Sequence, residues 1–112
     1  MNARGIEGGG SSGAALTSPA IQDAVAREWG VTAEGLRSKT RTKTLTVPRQ
    51  VAMYLMRELL GMQLVEIGTM FGGRDHSTVI HSLERVGEMM AEDPSFGERV
   101  KRLHAALEKL RS

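Results

Sequence analysis

The stretch Leu64–Leu83, LVEIGTMFGGRDHSTVIHSL, decides the fold through its spacing. Leu64, Ile67, Met70 and Phe71 share one face of a helix. Gly72-Gly73 permits a tight turn with positive φ, and Asp75 can cap a second helix. In that helix Val79, Leu83, Val86 and Met90 form the core side at helical spacing. Two short helices joined by a glycine corner have the dimensions of a helix-turn-helix, whose second helix offers its N-terminal side chains to the major groove. A plain αα-hairpin has the same outline, and this pattern alone leaves both readings open.

The polar tip of the second helix favours the first reading. Arg74, Asp75, His76, Ser77 and Thr78 precede the apolar stripe, so they can project outward while Val79 and Leu83 anchor the helix. Their chemistry suits base edges: Asp75 can accept from cytosine N4, Thr78 can offer a methyl to thymine, and His76 or Ser77 can donate to purine acceptors. The competing assignment gives Asp75 a capping role alone.

Outward from this stretch the chain reads as successive helices. Ser18 can cap and Pro19 can occupy the first position of a helix bearing Ile21, Val25 and Trp29, which stops at Gly30. Thr32 to Leu36 suggests one short turn. Arg37 to Thr46 has no buried face and is expected to be a loop, and Pro48 then opens a helix with Val51, Leu55 and Leu59 inside, ending at Gly61. Asp93-Pro94 restarts a last helix carrying Phe96, Val100, Leu103, Leu107 and Leu110. No alternating strand pattern or internal repeat interrupts the series, so the class is all-α.

With 112 residues there is room for one domain. Residues 1–16, rich in Gly and Ser, are expected to form a flexible tail or linker, and residues 17–112 the domain. The absence of Cys excludes disulfides, thiolate nucleophiles and Cys-based zinc sites. Aromatic residues make up 4% of the chain, too few for a base-stacking platform. Neither a membrane span nor a secretory signal is present in the pattern, and a cytoplasmic protein is expected.

The net charge is only +2, yet the cations are blocked: Arg37, Lys39, Arg41, Lys43, Arg49 and Arg57 fall between Glu34 and Glu58 with no acid among them. From Arg37 to Lys43 they alternate with Ser38, Thr40 and Thr42, giving a slim loop able to enter a narrow groove or to donate to phosphate. A solvated basic loop without a ligand fits the composition equally well.

The run Gly72-Gly73-Arg74-Asp75-His76-Ser77-Thr78-Val79-Ile80-His81, preceded by Pro48-Arg49-Gln50-Val51-Ala52-Met53-Tyr54-Leu55 and Leu64-Val65-Glu66-Ile67-Gly68, closely resembles the C-terminal DNA-binding domain of the bacterial replication initiator DnaA. The resemblance runs from about Ser18 to the C-terminus, strongest between Ser38 and Val86. It implies a Trp-repressor-like helical domain whose helix-turn-helix recognises short asymmetric DnaA boxes of the replication origin in double-stranded DNA, with a basic loop for the minor groove. On this resemblance Arg41 takes the minor-groove position, with Lys39 and Lys43 beside it in the basic loop. Asp75, His76, Ser77 and Thr78 take the major-groove positions, and Arg49, Gln50 and Arg57 fall where backbone or nearby bases are contacted. Leu64 remains at the start of the first helix, but Val65 stands where many members have Pro, and Ser77 where Thr is usual.

The full-length family binds ATP through a separate domain. No phosphate-binding Gly-rich loop with a following Lys occurs here, so no cofactor is expected in this chain, which would be an excised domain or a stand-alone relative. Other initiator domains or replication proteins are candidate partners, and the isolated domain is expected to be monomeric. An enzyme is not expected: adjacent Asp75 and His76 diverge on a helix, and His76 and His81 are off a zinc-binding spacing. A transcription regulator of helix-turn-helix type and a protein-interaction module using the last helix are the alternatives, although no sustained heptad supports a dimer.

Overall fold

The computed structural model describes residues 16–40 and 42–111. Residues 1–15 of the expected tail, the minor-groove candidate Arg41 and residue 112 lie outside the described residues. Six α-helices follow one another: α1 (Ser18–Trp29), α2 (Ala33–Arg37), α3 (Lys43–Leu60), α4 (Leu64–Met70), α5 (His76–Glu92) and α6 (Pro94–Glu108), with a 3₁₀ turn at Lys109–Arg111. No strand occurs among the described residues.

α3 is the central helix, packed against both α1 and α5, while α6 closes over α5, α3 and α1. The core draws Ile21 and Val25 from α1, Leu36 from α2, Val51, Leu55 and Met56 from α3, Ile67 from α4, Val79 and Val86 from α5, and Val100 and Leu107 from α6. Each such side chain, fully buried, contributes roughly 1.5–3 kcal/mol. Val100 and Leu107 are therefore core residues rather than a surface for a partner. Leu16, expected in the tail, packs against this core.

Three local readings are corrected. The N-cap of α1 is Thr17, whose Oγ1 accepts from Ala20 N at 3.2 Å; Ser18 instead accepts from the buried Gln22 amide at 2.9 Å. The turn expected over Thr32 to Leu36 is the short helix α2, Ala33–Arg37, with the Thr32 hydroxyl capping it by accepting from Gly35 N at 2.9 Å. α3 begins at Lys43, five residues before the expected Pro48 start, with Thr42 O accepting from Leu45 N and Thr46 N. Pro48 thus lies inside a helix, where it removes one donor. The acceptor it deprives belongs to the exposed Thr44, which water can reach.

Candidate nucleic-acid interface

The corner between α4 and α5 is built as its spacing demands. Gly72 and Gly73 have φ of 84° and 75°, a conformation that side-chain-bearing residues adopt at a cost. Phe71 is fully buried beneath them. Gln63 N donates to Glu66 Oε1 at 3.0 Å at the start of α4, and Asp75 Oδ1 accepts from Thr78 N at 2.9 Å at the start of α5. That capping bond, then the Thr78 hydroxyl and the charge of His76, hold the exposed Asp75 carboxyl below its ordinary value. Asp75, His76, Ser77 and Thr78 are all exposed, with Val79 immediately behind them buried. The four polar side chains therefore project outward from a start of α5 that Val79 anchors in the core.

The basic segment lies against this corner. Arg74 Nη2 donates to the Ser38 carbonyl at 3.3 Å, and a Cβ added to Gly72 would sit 3.1 Å from Lys39 Cγ and 3.3 Å from the Arg37 carbonyl. Lys39 and Lys43 are exposed. Arg37 is tied back to the body by an Nη1 to Gln22 Oε1 bond of 2.6 Å. Arg57, exposed on α3, donates to the Met62 carbonyl at 2.6 Å just ahead of α4. Leu64 is half-buried, whereas its neighbour Val65 is 67% exposed, a large apolar group left in solvent at the first turn of α4.

Arg49 behaves differently from the rest of the basic block. It is 5% exposed, and its guanidinium donates to the carbonyls of Leu36 at 2.8 Å, Thr40 at 2.9 Å and Gly35 at 3.1 Å. Burial first, and the nearby Arg74 second, hold its pKa below the ordinary value, but an arginine stays charged throughout the working range. Expected at a DNA contact, Arg49 is committed to the protein's own backbone and shapes the basic loop. A sequence signal existed: Arg49 stands one turn ahead of Met53 and two ahead of Met56, both buried, so it shares an inward face of α3.

Gln50 is half-buried beside a cleft of about 310 Å³ between α3 and α5, lined also by Thr46, Arg49, Arg74, Thr78 and His81. Thr46 and His81 were not singled out from sequence; they join the site because α3 and α5 cross there. Ile80, 38% exposed, follows His76 by one turn on the outer face of α5. Among the described residues no cluster of metal-ligating side chains occurs, and no helix is long and apolar enough to cross a membrane.

An exposed polar tip on the second of two glycine-linked helices, with a cationic segment held against its corner, defines a helix-turn-helix module. Residues 19–86 match the family described as bacterial DnaA protein helix-turn-helix, and the chain belongs to that family. It is similar to the chromosomal replication initiator protein DnaA of Levilactobacillus brevis, 44% identical over 89 residues, which is 80% of this chain and 20% of that protein. A solved structure described as a DNA replication initiation factor superposes with a TM-score of 0.75 at 30% identity, covering 85% of this chain and 29% of the other. The chain thus spans about a fifth of the length of the curated relative it matches.

Proposed function

We propose that this domain binds double-stranded DNA sequence-specifically, at short DnaA boxes of a bacterial replication origin, and so places an initiator on the chromosome. The observation that carries this reading is the junction of the two polar elements: the exposed tip Asp75–Thr78 of α5 and the basic loop meet at Gly72, Arg74 and Ser38. Membership of the DnaA helix-turn-helix family supports it.

In this mechanism Lys39, Lys43 and Arg57 approach phosphates and set orientation, which carries affinity without sequence information. His76 and Ser77 donate to purine acceptors, Thr78 presents its methyl to thymine, and the Asp75 carboxylate, already the helix cap, accepts from cytosine. Leu64 and the exposed Val65 supply apolar contact beside the reading helix. Arg41 is assigned the adjacent minor groove, and Gln50 the backbone near the α3–α5 cleft. Arg49 acts from inside by holding the loop that carries Lys39 and Arg41.

The domain needs no cofactor for this task, works as a monomer, and acts in the cytoplasm, where the chromosome is. The deciding experiment is titration of a duplex bearing a DnaA box against a scrambled duplex of equal length at fixed salt. Preference for the box by about a thousandfold or more supports the reading, and equal binding to both overturns it.

A further inference from the structure

Arg74 stands where the parts of the interface meet. Its backbone N–H donates to the Gly68 carbonyl at 2.9 Å, which fixes it to α4. It immediately precedes Asp75, the cap of α5. Its side chain leaves both helices and reaches the basic loop at the Ser38 carbonyl. Next to it Arg49 gathers the carbonyls of Gly35, Leu36 and Thr40. Two neighbouring guanidiniums thus collect four carbonyls from the end of α2 and the start of the loop after it, and neither makes a salt bridge with a carboxylate among the described residues.

That arrangement is costly. The Arg74 Nε is buried without a hydrogen-bond partner among the described residues, and an unpaired buried donor disfavours the fold. A surface cation serving only to attract phosphate needs neither burial nor a carbonyl partner. What the geometry gains is a strut: one residue bolted by its backbone to α4, leading into α5, and joined by its side chain to the loop.

We infer that Arg74 is a positioning residue which, through Ser38, fixes the basic loop against the helix-turn-helix corner so that minor-groove and major-groove contacts fall on one duplex in one register. The inference rests on the two-groove reading proposed above. Without the strut the loop must be ordered at the moment of binding, so its contribution falls while that of α5 persists.

The test uses the full chain and two sets of modified duplexes carrying its preferred site. Replacing adenines by diaminopurine adds an amino group to the minor groove only; replacing thymines by deoxyuridine removes a methyl from the major groove only. The unmodified protein is expected to lose affinity on both sets. Arg74→Lys keeps the charge but not the planar reach to Ser38. It should bind the natural site about tenfold more weakly, lose the diaminopurine penalty, and retain the deoxyuridine penalty. Gly72→Ala alters no charge but places a methyl against Lys39 and the Arg37 carbonyl, and it should give the same signature. Thermal melts confirm that each variant is folded at the assay temperature. If both variants keep the full diaminopurine penalty, or if Arg74→Ala weakens binding and Arg74→Lys restores it completely, Arg74 is a phosphate contact and the inference falls alone. If the unmodified protein shows no diaminopurine penalty, the minor-groove reading falls and takes this inference with it.

Discussion

Gly68 and Arg74 are in direct backbone contact: Arg74 N donates to the Gly68 carbonyl at 2.9 Å, and a Cβ on Gly68 would be driven into the Arg74 carbonyl oxygen. This contact sets how closely α4 approaches the start of α5. The obstructing atom belongs to the main chain, which a rotamer change cannot move aside. Gly68→Ala is therefore expected to destabilise by roughly 3 kcal/mol, the upper end of overpacking costs. For a domain of this size that lowers the melting temperature by roughly 12–24 °C, measurable by circular dichroism. An unchanged melt would show that the helices can separate without penalty.

Arg49 gives the second prediction. Its three donors satisfy two carbonyls of α2 and one of the loop after it, and a lysine ammonium at the same place could reach only some of them. Arg49→Lys is expected to cost about 2 kcal/mol of stability, seen as a lower midpoint in urea. A variant as stable as the original would mean that the carbonyls find water instead, and that Arg49 is free to meet DNA.

These two residues also mark how far the sequence could be read. Gly72-Gly73 and Asp75 announce the corner and the cap, because few residues other than glycine accept positive φ and an acidic N-cap has one geometry. The exposed tip and its anchor Val79 follow from helical periodicity. The spacing of Arg49 to Met53 and Met56 marks an inward face, but the carbonyls it binds reach it only when α2 and the loop after it fold back over α3, a tertiary event. The start of α3 was hidden for a similar reason: Leu45, Thr46 and Val47 are only half-buried, so no apolar stripe precedes Pro48. Gly68 likewise showed no sign of its contact, because a glycine inside a helix reads as a weak propensity rather than as a close approach.

Binding should be strongly salt-dependent. If six to eight phosphates are neutralised, log affinity falls with log salt at a slope of roughly −5 to −7. Lys39→Ala, removing an exposed cation, should weaken all sequences alike and reduce the slope by about one, whereas His76→Ala should cost roughly 1–3 kcal/mol on the cognate site alone. Anisotropy titrations at several salt concentrations separate the two behaviours. If Lys39→Ala shifted sequence preference and His76→Ala did not, the assigned roles would be reversed.

Asp75 predicts a pH effect. Thr78 N, then the Thr78 hydroxyl and the charge of His76, hold its folded pKa below the unfolded value of about 3.9. Its carboxylate therefore stabilises the fold above about pH 4, and that contribution is lost as the pH falls through the folded value. Asp75→Asn keeps a capping oxygen that does not titrate. The difference in melting temperature between the two proteins should shrink between pH 6 and pH 2 as the original loses its charged cap. A difference constant across that range would show that the charged form is not preferred in the folded state.

The last prediction separates stability from binding. Arg99 on α6 donates through Nε to Glu28 Oε2 and through Nη2 to the Glu28 carbonyl, both at 2.7 Å, and its guanidinium lies 4.2 Å from the centre of the Trp29 ring. Trp29 in turn meets Phe96 edge to face, with ring centroids 6.4 Å apart. One side chain thus ties the last turn of α1 to α6 by an ion pair, a bond to a terminal carbonyl and a cation–π contact. The ion pair is more than a third exposed on both sides, where such pairs contribute about 0.2–1 kcal/mol. Glu28→Gln, which keeps the backbone carbonyl and the ring contact, should therefore cost less than about 1 kcal/mol. Arg99→Ala removes all three and should cost more, about 1–2 kcal/mol. Neither residue touches the α4–α5 corner or the basic loop, so the affinity for DNA of either folded variant should stay within about twofold of the original. Equal losses of stability in the two variants would assign the whole effect to the ion pair, and a loss of DNA affinity in the folded Arg99→Ala protein would show that the position of α1 is coupled to the reading surface.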